Sequence, residues 1–113
     1  MAETKRVYVY RDAGLIDSYK VFPAVVILRG KEGADKKDKF ELVNTLDDKE
    51  VSLTVPGDRF EGGKIEDVKI GPGQTYGPKT PKDRNSPIGV DYEVKVGATK
   101  AKGNSDPVII IDP

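Results

Sequence analysis

The chain contains no cysteine, no histidine and no tryptophan, and its only methionine is Met1. Without cysteine there is no disulfide framework and no thiolate to act as nucleophile or soft metal ligand. Without histidine the commonest general base and the commonest metal ligand are both missing. A lack of cysteine leans only weakly towards a reducing compartment, so two placements stay open: cytoplasmic, or exported with a signal removed. No run approaches the roughly eighteen apolar residues needed to cross a bilayer, so no membrane insertion is expected. The opening Met-Ala-Glu-Thr-Lys-Arg has no apolar stretch behind its basic residues and does not read as a signal peptide. Charge of one sign is lacking too, since 19 basic and 19 acidic residues cancel. That balance argues against nucleic acid as a partner, which ordinarily requires excess positive charge. The basic run Lys31 to Lys39 is interrupted by Glu32, Asp35 and Asp38 and reads as a solvated loop. If that loop orders against anything, a protein partner is the expected one.

The 113 residues are enough for one domain, 1–113, with a core that needs no staples. Its dominant rhythm is period two. Val51, Leu53 and Val55 share one face against Glu50, Ser52 and Thr54; Val90, Tyr92, Val94 and Val96 oppose Asp91, Glu93 and Lys95. Both segments read as half-buried strands. Residues 6–10, 39–44 and 64–70 are rich in strand formers. Residues 24–29 and 107–112 are short continuous apolar runs, predicted as strands buried on both faces. Twelve glycines and eight prolines punctuate the chain without forming a linker. Short helical turns are considered near Asp12 to Tyr19 and Ala34 to Leu42, and 77–88 reads as the longest loop. About seven strands at this spacing predict a two-sheet sandwich or a barrel.

Several segments in order resemble the cupredoxin family. Phe40-Glu-Leu-Val-Asn44, followed by Glu50 to Pro56, is similar to the strand, Asn-containing turn and returning strand that carry that family's first copper histidine. Val68 to Tyr76, with Gly71-Pro-Gly73, is similar to the segment before the last hairpin. Ile88 to Val96 resembles the penultimate strand, and Gly103 to Asp112 the final one. The resemblance covers roughly residues 39–113 and implies an all-β, cupredoxin-like Greek-key β-sandwich of about seven to eight strands. It does not extend to the metal. A blue-copper site takes two imidazoles and a thiolate, and this chain has neither residue. Glu50 or Val51 falls near the first histidine position and Val96 near the cysteine position. No copper, no other cofactor and no electron transfer is therefore expected. What the resemblance leaves is a scaffold whose former copper end, loops 44–50, 71–78 and 97–106, is the expected recognition surface.

Candidate site residues follow from that surface and from the aromatic pattern. Tyr8 and Tyr10 share one face of the first strand, opposite Val7 and Val9. They suit sugar stacking or anchoring of a protein partner, and equally a packing role at the sandwich edge. Asp47 and Asp48 in one loop, and Asn104 and Asp106 in another, complete the set. Carboxylates in turns at 47–50, 58–61 and 83–91 could hold calcium, although none has the spacing of a calcium loop. The same residues serve equally as turn caps. Ser18, Ser52, Ser86 and Ser105 sit in no nucleophile context, and no carboxylate pair is singled out. The expected function is a non-catalytic binding or structural module, with calcium or carbohydrate binding as the alternative and a small Asp/Glu-dependent enzyme a remote third. The expected state is a monomer or weak dimer, the dimer arising if the apolar strand 107–111 lies at a sheet edge.

Overall fold

The computed structural model describes residues 3–12, 18–29, 37–83, 86–101 and 106–112. Among these the fold is all-β, with eleven strands and no helix. They are β1 (Thr4–Arg11), β2 (Tyr19–Phe22), β3 (Val25–Arg29), β4 (Lys39–Asn44), β5 (Val51–Val55), β6 (Ile65–Ile70), β7 (Thr75–Lys79), β8 (Ile88–Asp91), β9 (Glu93–Val96), β10 (Thr99–Lys100) and β11 (Val108–Asp112). All seven runs expected from the sequence are strands. The additional ones are short: β2, β7 and the two-residue β10, together with a break at Tyr92 that divides 88–96.

One sheet has the order β2-β1-β4-β7, with β1 and β4 parallel. The others have the orders β10-β9-β5-β6 and β3-β11-β8. These two are stitched by one extended run, because 88–91 pairs with β11 and, one residue later, 93–96 pairs with β5. Tyr92 marks the handover, and its N–H donates to the Pro107 carbonyl. The core lies between the first sheet and this joined layer. Val7, Val9, Val21, Phe40 and Leu42 from one side meet Leu28, Leu53, Val94, Ile109 and Ile111 from the other, all nearly inaccessible to water. Phe40 reaches across to the Tyr92 ring, edge-on at 6.0 Å between centroids.

Alternation fixes most of this, and local irregularities explain the rest. Ile65 and Ile70 are both buried although five residues apart, a spacing that would put them on opposite faces of a regular strand. The register of β5 against β6 shifts between Leu53 and Val55, where Asp67 sits at φ 48°. That shift resets the parity, as a bulge does. Gly77 is required where β7 passes β4, since a Cβ there would lie 2.6 Å from the Phe40 carbonyl oxygen.

Four expectations are corrected. Strands β3 and β11 are buried on one face only: Val25 and Ile27 are exposed, while Val108 and Ile110 are half-buried. Their continuous apolar sequence reflects an uncovered outer face of that sheet. Strand β11 is not an edge, being flanked by β3 and β8, so a dimer through 107–111 has no open edge to use. The expected loop 77–88 begins late, because 77–79 belong to β7 and Pro81 bridges to Phe60. Lys37 and Asp38, placed in a solvated loop, are buried; residues 30–36 lie outside the described residues. Of the helical turns considered, Tyr19 and 39–42 are strand, and 13–17 and 34–36 lie outside the described residues. Among the described residues no helix is long and apolar enough to cross a membrane.

Candidate functional site

Strand β4 ends at Asn44, and the inward parity of Phe40 and Leu42 carries the Asn44 side chain into the core. A buried amide must find partners, and this one finds them in two loops. Its Nδ2 lies 2.9 Å from the Lys49 carbonyl and 3.1 Å from each of the Ile70 and Gly71 carbonyls, which share its two N–H donors. Its Oδ1 accepts the Leu46 N–H at 3.0 Å. Backbone bonds reinforce the join: Asn44 N–H donates to the Gln74 carbonyl and Gly73 N–H to the Leu46 carbonyl, each at 2.9 Å. Loops 44–50 and 70–74 therefore form one unit over a single buried side chain.

That unit is tied to the end of β1. Thr45 donates both its N–H and its hydroxyl to the Val9 carbonyl, the latter at 2.6 Å. Arg11 donates to Asp48 at 2.9 Å and lies over the Tyr19 ring, 5.8 Å from its centroid. The hydrogen bond from Arg11 holds the Asp48 carboxyl below the usual carboxylate range. On the far side, Lys49 and Glu50 meet Val96, Gly97 and Thr99 around a hollow of about 220 Å³. Of the expected loops 44–50, 71–78 and 97–106, residues 44–50, 71–74 and 97–99 share one end of the molecule, whereas 75–78 belong to β7 and 102–105 lie outside the described residues.

The candidate residues are only partly gathered there. Asp47 and Asp48 are exposed on the loop unit, and Tyr10 precedes the Arg11 that binds Asp48. Tyr8 lies farther along the outer face of the sheet, in a cross-strand row with Phe22 on one side and Val43 on the other. Phe22 is 64% exposed, so that row is open to solvent. Asp106 belongs to a different hollow, about 380 Å³, which it lines with Thr54, Asp91, Glu93 and Lys100. There Glu93 is paired with Lys95 at 3.1 Å and with Lys100 at 3.3 Å, and both hold its carboxyl below the usual range. Asn104 lies outside the described residues. Among the described residues no three of the acidic side chains gather in a way that could hold a metal ion.

At the opposite end, reasoning from the sequence missed a pair of buried charges. The Asp38 carboxylate, 1% exposed, accepts the Glu3 N–H at 2.9 Å and the Arg29 N–H at 3.0 Å, linking β1 to β3. The Arg29 guanidinium adds a contact at 3.2 Å. Burial alone pushes the Asp38 carboxyl up, but these three donors outweigh it and leave it below the usual range. Lys37, 4% exposed, donates to the Pro81 carbonyl at 3.0 Å and pairs with Asp83 at 2.6 Å. Asn44 had a readable signal, since its parity places it on the core face. Lys37 and Asp38 precede their strand and had none.

Neither a protein-family model nor a curated protein matches the chain.

Proposed function

We propose that this chain is a non-catalytic binding or structural module on a cupredoxin-like scaffold without a copper site, presenting the loop end built on Asn44 as its recognition surface. The observation that carries this reading is the construction of that end. Loops 44–50 and 70–74 are fixed by one amide with four short contacts, while Asp47 and Asp48 stand exposed above it. A surface held rigid from beneath loses little conformational freedom on binding. The cupredoxin-like part of the reading is supported by the parallel pairs β1–β4 and β3–β11, which join strands that are not consecutive in the chain. The full sequence offers no imidazole or thiolate for catalysis.

The test is a capture experiment comparing the wild-type chain with Asp47→Lys and Asp48→Lys chains as bait. The reading predicts one partner that survives added salt and is lost from both variants. Equal capture by all three baits would overturn it. Carbohydrate binding stays as the second reading because Phe22 and Tyr8 form an exposed aromatic row. It predicts a rise in melting temperature with a sugar that Tyr8→Ala abolishes.

A further inference from the structure

We draw no further inference here: the strongest candidate, the edge and apolar outer face of β3 at Val25 and Ile27, carries nothing, because the cations beside it, Lys5, Arg6 and Arg29, are already paired with Glu3, Glu41 and Asp38 and nothing in the structure shows what covers it.

Discussion

The two ends of this sandwich are each stitched by a buried polar side chain, and the two stitches differ in charge. At the loop end Asn44, neutral, gathers three carbonyls and one N–H from its own and a neighbouring loop. At the other end Asp38, charged, gathers two N–H groups and a guanidinium from β1 and β3. Mostly acceptors call for an amide; donors alone call for a carboxylate. The difference shows how a chain with no disulfide fixes both its ends, and only one of the two stitches titrates.

The comparison breaks most severely at Asn44. Asn44→Leu keeps the volume but strands the carbonyls of Lys49, Ile70 and Gly71 and the N–H of Leu46. It should cost about 3 kcal/mol or more in urea unfolding. A loss below about 1 kcal/mol would mean that water replaces the amide and that the loop unit is not fixed by it. Asp38→Asn should cost less, about 2 kcal/mol, because the remaining oxygen still accepts one N–H while the new amide faces donors. Lys37→Met should cost least, about 1 kcal/mol. It removes the buried charge together with its desolvation, and Asp83, 81% exposed, returns to water. If Lys37→Met proved the worst of the three, the charged end would be held by Lys37 and not by Asp38.

How much of this was legible in the sequence depends on parity. Val51, Leu53 and Val55, and Val90 to Val96, alternate cleanly and became strands with their apolar faces inward. The runs 24–29 and 107–112 were read as strands for the right reason but with the wrong burial. An apolar run states what each face could bury, not whether anything covers it, and among the described residues no outer layer lies over Val25 and Ile27. Strand β7 hid behind Gly77 and Pro78, residues that ordinarily end strands, because its close approach to Phe40 demands glycine. Within the candidate site, Asp47 and Asp48 share the loop fixed by Asn44. Asp106, predicted beside them, lies in another hollow because β10 runs back along β9 after Gly97. The long-range partners of Asp38, 9 and 35 residues away, leave no trace in local pattern.

The most direct test of the two-stitch account is amide exchange at both ends across pH. The donors around Asp38 hold its carboxyl below the unfolded value, so its stabilisation is present above that value and is lost as pH falls through the folded one. Asn44 does not titrate. Protection factors, corrected for intrinsic exchange, should fall at Glu3 and Arg29 between pH 6 and pH 2.5 while those at Leu46 and Gly73 hold, and Asp38→Asn should remove the fall. Equal loss at both ends, or Glu3 and Arg29 amides already unprotected at pH 6, would contradict the account.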